Sequence, residues 1–296
     1  MEKIIPHLWY DQEAVEAAKL YTSILPSSKI NNITTLDNTP SGDCDIVSFE
    51  LCGQPFMSIS AGPIFKFTPA VSFLIASDSV EEVDKYWKEL GTGGKVLMEL
   101  GEYPFSKRYG WIEDKYGLSW QVILSNNYAY KQKITATWLF AGEVAGKAEE
   151  AMQFYASVFP DSKMGDINRY PAGMEPDKEG TVMHGSVFLA GQEFYAMDSA
   201  RQHEWRFTEA LSFQVFCKDQ QEIDYYWERL SAVPEAEQCG WLKDKFGFSW
   251  QIVPERMEEM MSHNDKEKVA RVTQAFLKMK KFDLAELERA YEGVPA

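Results

Sequence analysis

GWIEDKYGLSWQVI at residues 110–123 returns as GWLKDKFGFSWQIV at 240–253, with 8 of 14 positions identical and 5 more exchanging one apolar residue for another. A match that dense marks an internal repeat, so the chain reads as two copies of one unit. Working outward, the same pairing joins FKFTPAVSF (65–73) to WRFTEALSF (205–213), GQPF (53–56) to GQEF (191–194) and YTSILPSSKI (21–30) to YASVFPDSKM (155–164). The motif order is the same in both halves. The offset moves from 134 to 138 to 140 and then falls to 130, so the second copy loses roughly ten residues between Leu230 and Gly240. The lost piece corresponds to GGKVLMELGEYPFSKRY (93–109), present only in the first copy.

Within each copy the hydrophobic pattern alternates between two periods. Ile4–Tyr10 is a short, mostly apolar strand, and Ala14, Ala17, Ala18, Tyr21 and Leu25 follow as the stripe of an amphipathic helix that Pro26 stops. Lys29–Leu36, Ile46–Leu51 and Phe56–Ser60 read as strands, the last two joined by a turn at Cys52-Gly53-Gln54-Pro55. Val71–Ala76 restarts the series. Val80, Val83, Trp87 and Leu90 give a second helix, and Val96–Leu100, Tyr109–Glu113 and Leu118–Leu124 three more strands. Each copy is thus βαβββ-βαβββ, an α+β pattern, and the second repeats it on Ala148, Ala151, Tyr155 and Phe159, then Ile223, Trp227 and Leu230. Beyond Pro254 the pattern turns helical, with one stripe on Val269, Val272 and Phe276 and another on Leu284, Leu287 and Tyr291. Asp283 and Glu286 open the second as a capping box and Gly293 closes it. The expected division is 1–128, 129–254 and a helical segment 255–296.

Composition sets outer bounds. With 296 residues, 45% hydrophobic and 25% charged, the chain is long and apolar enough for two folded units. A net charge of −15 argues against nucleic-acid phosphates or anionic lipid as partners. Cys44, Cys52, Cys217 and Cys239 have neither CxxC spacing nor a disulfide framework. No stretch approaches the ~20 apolar residues of a membrane span, and MEKIIPHLWYDQEA does not read as a signal peptide. A cytoplasmic protein with reduced thiols is expected, with no nucleic-acid or membrane partner.

The stretches IIPHLWYDQEAVEAAKLYTSILPSSKI, GQPFMSISAGPIFKFTPAVSF, YGWIEDKYGLSWQV, their second-copy counterparts and FLKMKKFDLAELERAYEG resemble the PhnB-like proteins, also called demethylubiquinone methyltransferase-like. These belong to the vicinal oxygen chelate superfamily with glyoxalase I and bleomycin-resistance proteins. The resemblance covers nearly the whole chain. It implies two tandem domains, each of two βαβββ modules pairing side by side around a half-open cavity, and an internal pseudo-dimer, with homo-oligomerisation left open. Active superfamily members place a divalent metal in that cavity, held by His on the first strand and Glu on the last strand of each module. Carried over, those positions fall on His7 (or Pro6, one residue out of register), Met57 or Ser58, Ser72 and Gln121 in the first copy, and on Thr137 (or Ala136), Ala196 or Met197, Ser212 and Gln251 in the second. Imidazole and carboxylate donors are what such a metal needs, so neither a metal nor another cofactor is expected. The methyltransferase label finds no support in the glycines: Gly91-Thr92-Gly93-Gly94 follows a helix, whereas a nucleotide-binding turn follows a strand.

His7, Glu50, Ser58, Ser72 and Gln121 are the candidate ligand-binding residues, and His7 the candidate catalytic one. His7 has two readings, a cavity base near neutral pKa and a partly buried strand histidine. Gln121 and Gln251 alternate with Trp120 and Trp250, so tryptophans packed under helices would turn the glutamines into the cavity. The Asp and Gly of the repeated motif read as turn chemistry. The leading functional expectation is a metal-free cavity for a small apolar or aromatic molecule, sited in the first copy between His7 and Gln121 with residues 93–109 as a lid. Two alternatives stand beside it: a metal-independent isomerase or lyase with His7 as base near Tyr109 or Glu50, and a scaffold whose cavities are filled by Met and Trp.

Overall fold

The computed structural model describes residues 2–39, 42–125, 132–261 and 265–294, so the expected boundary at 128 and His263 lie outside the described residues. Four modules follow one another. The first is β1 (Ile4–Tyr10), α1 (Ala14–Ile24), β2 (Lys29–Thr39), β3 (Gly42–Leu51) and β4 (Gln54–Ser60), and the second β5 (Val71–Ser77), α2 (Val80–Gly91), β6 (Lys95–Tyr103), β7 (Ser106–Glu113) and β8 (Ser119–Leu124). The third is β9 (Ile134–Ala141), α3 (Ala148–Val158), β10 (Lys163–Arg169), β11 (Val182–Leu189) and β12 (Gln192–Ser199), and the fourth β13 (Leu211–Cys217), α4 (Gln220–Leu230), β14 (Trp241–Lys243) and β15 (Ser249–Pro254). Three helices end the chain: α5 (Arg256–Met261), α6 (Lys266–Phe276) and α7 (Leu284–Glu292). Asp283 caps α7 by accepting from the Glu286 amide, and Gly293 ends it with φ +75°.

The modules pair between the copies. One sheet, A, has the order β14-β15-β13-β1-β4-β3-β2, and the other, B, the order β10-β11-β12-β9-β5-β8-β7-β6. Thus the first module shares a sheet with the fourth, and the second with the third. The two junctions are antiparallel and equivalent, with His7 opposite Ser212 in β1–β13 and Ser72 opposite Thr137 in β5–β9. The expected pairing of neighbouring modules within a copy gives way to an exchange across a pseudo-two-fold. GQPF and GQEF fasten it reciprocally: Gln192 Oε1 accepts from the Ile4 amide and Gln54 Oε1 from the Ile134 amide, each at 3.1 Å.

Alternation along the strands sorts side chains onto two faces. Ile4, Leu8, Tyr10, Phe73, Trp120, Trp138, Phe213 and Trp250 turn toward α1–α4, and these faces of both sheets form one continuous core with the four helices. Burying each such side chain is worth ~1.5–3 kcal/mol. Within a copy the modules are held by the repeated motif. Asp114 Oδ2 accepts from Tyr21 Oη on α1 (2.6 Å) and Trp120 Nε1 (2.9 Å), while its Oδ1 accepts from the Tyr116 and Leu118 amides. Asp244 does the same for Tyr155, Trp250, Phe246 and Phe248. The structural reading of this Asp is therefore the one the fold uses.

The opposite faces of the two sheets, called troughs below, are lined differently. GGKVLMELGEYPFSKRY builds β6 and β7, so it widens sheet B instead of forming a free lid. Sheet A lacks this segment and keeps only the three-residue β14, which corresponds to residues 111–113 at the end of β7. The C-terminal segment takes the vacated place: the Cys239 amide donates to Met279 O (2.8 Å) and the Gly240 amide to Lys280 O (2.7 Å). Gly240, at φ +82°, has room for this approach only without a Cβ, which would meet the Phe282 ring at 2.6 Å. From there α5–α7 fill the trough of sheet A, with Met260, Val272, Met279, Phe282, Leu287 and Tyr291 against Ile5, Met57, Phe216 and Val253.

Candidate functional site

His7 lies in sheet A, 5% exposed beneath this C-terminal cover. It is flanked by Met57 and Ser212 and meets the Trp241 ring edge-on at 5.5 Å. Its Nδ1 has no hydrogen-bond partner, and burial pushes its pKa down to about 3. It is a neutral core imidazole, and Tyr109, expected beside it as a catalytic neighbour, stands in the other sheet. Glu50 is also apart, at the margin of sheet A, where Lys29 Nζ lies 3.4 Å away and Asn31 Nδ2 donates to it at 3.2 Å. Ser58 falls on the helix side of β4 with Phe56 and Ser60; Ser60 Oγ accepts from the first amide of α1. Strand order therefore divides the five candidates: only Ser72 and Gln121 come together, and the expected single cavity holding His7 and Gln121 does not form.

Ser72 and Gln121 share the trough of sheet B. Phe73 and Trp120 both pack on the helix side, so their chain neighbours Ser72 and Gln121 look the other way, as the alternation requires. Tyr109 Oη donates to Gln121 Oε1 (2.7 Å), Gln121 Nε2 donates to Ser72 Oγ (2.7 Å), and Trp111 Nε1 donates to Ser119 Oγ (2.7 Å). Around them lie Leu74, Ile123, Leu139 and Tyr195, with Leu97, Met98, Tyr103, Met197 and Trp205 partly exposed at the edge. The Trp205 ring meets Trp111 edge-on at 5.6 Å and stacks on His203 at 4.0 Å. Burial pushes the Tyr109 phenol up and the His184 imidazole down, so neither carries charge near neutral pH. Ser72, Gln121 and Tyr109 thus present neutral hydroxyl and amide groups beside an aromatic wall.

Sequence reasoning misses Tyr195. It partners Thr137 across β12–β9 as Met57 partners His7 across β4–β1, so it, and not Ala196 or Met197, occupies the module-end position. The 138-residue offset between GQPF and GQEF leads from Met57 to Tyr195 and is the signal that could have found it. The corrected donor sets are His7, Met57, Ser212 and Gln251 in sheet A, and Ser72, Gln121, Thr137 and Tyr195 in sheet B. One imidazole, a thioether, hydroxyls and amides do not fit a divalent cation. Among the described residues no group of three or more His, Cys, Asp or Glu side chains is placed to hold one. The glycines after α2 do not fit a nucleotide either: a Cβ on Gly94 would lie 2.0 Å from the Glu113 carbonyl oxygen, so this is a helix-to-strand turn pressed onto β7. A surface groove of about 380 Å³ beside Phe159 and Tyr225 lies outside both troughs, and its charged groups are committed, Asp219 capping α4 and Glu222 pairing with Lys3.

The sequence model of the 3-demethylubiquinone-9 3-methyltransferase family matches twice, at residues 2–123 and 132–253. No curated protein matches the chain. Among solved structures, a PhnB protein from Bacillus cereus is 41% identical over 42% of this chain and 99% of its own, with TM-score 0.40. A protein from Pseudomonas aeruginosa is 20% identical over 42% of this chain and 98% of its own, with TM-score 0.38. Glyoxalase I from Zea mays is 12% identical and covers 88% of this chain and 98% of its own at TM-score 0.54, a shared fold through both copies. The chain belongs to the PhnB-like 3-demethylubiquinone-9 3-methyltransferase family, carrying its unit twice in tandem.

Proposed function

We propose that this protein binds one small, largely apolar or aromatic molecule per chain, in the trough of sheet B, through Ser72 and Gln121. The observation that carries the reading is the unequal fate of the two troughs. Sheet A's is packed with the Met, Phe and Leu side chains of α5–α7. The apolar cluster on sheet B's trough face contains strand residues and Trp205, and no helix residue among the described ones. A few convergent polar groups on an apolar, aromatic surface are the usual form of a small-molecule site. The scaffold alternative describes sheet A well, where Met57, Met260 and Met279 fill the space. The His7-base alternative loses its geometry, since His7 is covered and its supposed partners lie elsewhere.

Native mass spectrometry of the purified protein, followed by titration calorimetry with whatever co-purifies, tests this. One molecule per chain is expected, with affinity lost on Gln121→Leu and kept on His7→Gln. Two molecules per chain, or affinity lost with His7 and kept without Gln121, would overturn the assignment.

A further inference from the structure

The polar groups of sheet B fall in one row across five adjacent strands. In the order β12-β9-β5-β8-β7 the row is Tyr195, Thr137, Ser72, Gln121 and Tyr109. Thr137 has Tyr195 and Ser72 as its two Cα partners, and the links Tyr109 to Gln121 and Gln121 to Ser72 continue it at 2.7 Å each. All five are at most 5% exposed. Protons can be counted along it. Tyr109, Gln121 and Ser72 bring four N–H and O–H protons and use two in their links. Turning the amide of Gln121 over only moves the spare hydroxyl proton from Ser72 to Tyr109. A hydroxyl proton and an amide N–H are left over in either case, and Thr137 Oγ1, fully buried, has no partner at all.

Sheet A holds a shorter set of amide links: Gln214 Nε2 donates to Gln251 Oε1 (3.0 Å) and Gln251 Nε2 to Ser212 Oγ (2.9 Å), with Gln214 and Ser212 both on β13. Four of the five sheet-B residues stand where a metal-bearing relative would place its ligands, and they present hydrogens where that relative would present a cation.

We propose that the row in sheet B recognises the acceptor oxygen of an uncharged carbonyl compound with an aromatic or apolar body, using hydroxyl and amide protons in place of a metal. The inference rests on the reading of this trough as the binding site and adds the polar group that the site selects. A buried polar atom without a partner costs free energy that a carbonyl oxygen recovers. A carboxylate would give up its hydration against a row of neutral hydroxyl and amide groups.

The test uses the full chain and four probes with nearly the same body: acetophenone, 1-phenylethanol, benzoate and ethylbenzene, titrated by chemical-shift perturbation at pH 7. Acetophenone should bind most tightly, 1-phenylethanol and ethylbenzene several-fold more weakly, and benzoate at least tenfold more weakly. Ser72→Ala with Thr137→Val should weaken acetophenone about tenfold and leave ethylbenzene unchanged, while Thr137→Ser alone should keep ketone affinity. Benzoate binding as well as the ketone, or ketone affinity surviving the double substitution, overturns the proposal. Ethylbenzene binding as tightly as acetophenone overturns it while sparing the trough as a binding site. Failure of all four probes overturns both.

Discussion

Replacing His7 by Gln should flatten the acid side of the stability curve by an amount that follows from its burial. The ring is 5% exposed under α5–α7, with burial the cause of its depressed pKa of about 3. In the unfolded chain it returns to about 6.5. Between those values the unfolded state holds a proton that the folded state refuses, so the native contribution is complete above pH 6.5. It is lost as pH falls, at about 1.4 kcal/mol per unit, toward a limit of about 5 kcal/mol near pH 3. At pH 5 the loss attributable to His7 is about 2 kcal/mol. Gln is neutral throughout and carries no such slope. Urea unfolding of both proteins at pH 7 and pH 5, read by tryptophan fluorescence, isolates the difference, since all other titrating groups are common to the pair. The wild type should lose about 2 kcal/mol more than His7→Gln between the two pH values, and its His7 Cε1 proton should not titrate above pH 5 by NMR. An equal loss in both proteins, or an imidazole titrating near 6.5, would show that His7 is open to water and that the C-terminal helices do not seal the trough of sheet A.

Leu287→Ala removes a fully buried side chain from the apolar cluster that joins the C-terminal helices to sheet A and should cost ~2–5 kcal/mol in urea unfolding, with increased binding of an apolar fluorescent dye. Asp114→Ala leaves the Tyr21 hydroxyl, the Trp120 indole and two backbone amides without an acceptor and should cost ~3–5 kcal/mol, visible as a lower melting temperature. Residues 1–128 and 129–296 expressed together should co-purify as one complex, because each sheet takes a module from each half; recovery of two independent, folded monomers would contradict the shared sheets.

The elements themselves are plainly legible in the sequence. Ile4–Tyr10 reads correctly to the residue, and the Trp120/Gln121 alternation sends the indole under the helices and the amide to the trough, as observed. Local periodicity records which face a residue takes, and burial enforces it. Which module sits beside which is not local information. β1 has an edge that either the second or the fourth module could satisfy with the same hydrogen-bond pattern, and no residue in β1 names its partner. That is why sequence alone puts His7 and Gln121 in one cavity while the fold puts them in two. Ser58 goes astray for a smaller reason: Met57 is its neighbour, and a one-residue slip reverses every face of a strand. The C-terminal helices are legible as helices, but their destination is set by the shortened β14 and the Gly240 approach, contacts some forty residues apart in sequence.

The exchange of modules also accounts for how one trough can close without affecting the other. In a symmetric pair of single-copy chains, a deletion made once in the gene appears in both sheets. Here the two copies are joined and free to diverge, and each sheet takes one module from each. Loss of the hairpin from the second copy therefore falls on the fourth module alone, which belongs to sheet A. Sheet B keeps its full β6 and β7, its aromatic wall at Tyr103, Tyr109 and Trp111, and its polar row. The place left at β14 exposes the Cys239 and Gly240 amides, and a segment that can supply two carbonyls and an apolar helix face satisfies both the backbone and the bared trough at once. Met279, Lys280 and Phe282 do so. The short β14 and the C-terminal helices thus complement each other, and the consequence is a protein with two equivalent frames, one of them filled from within.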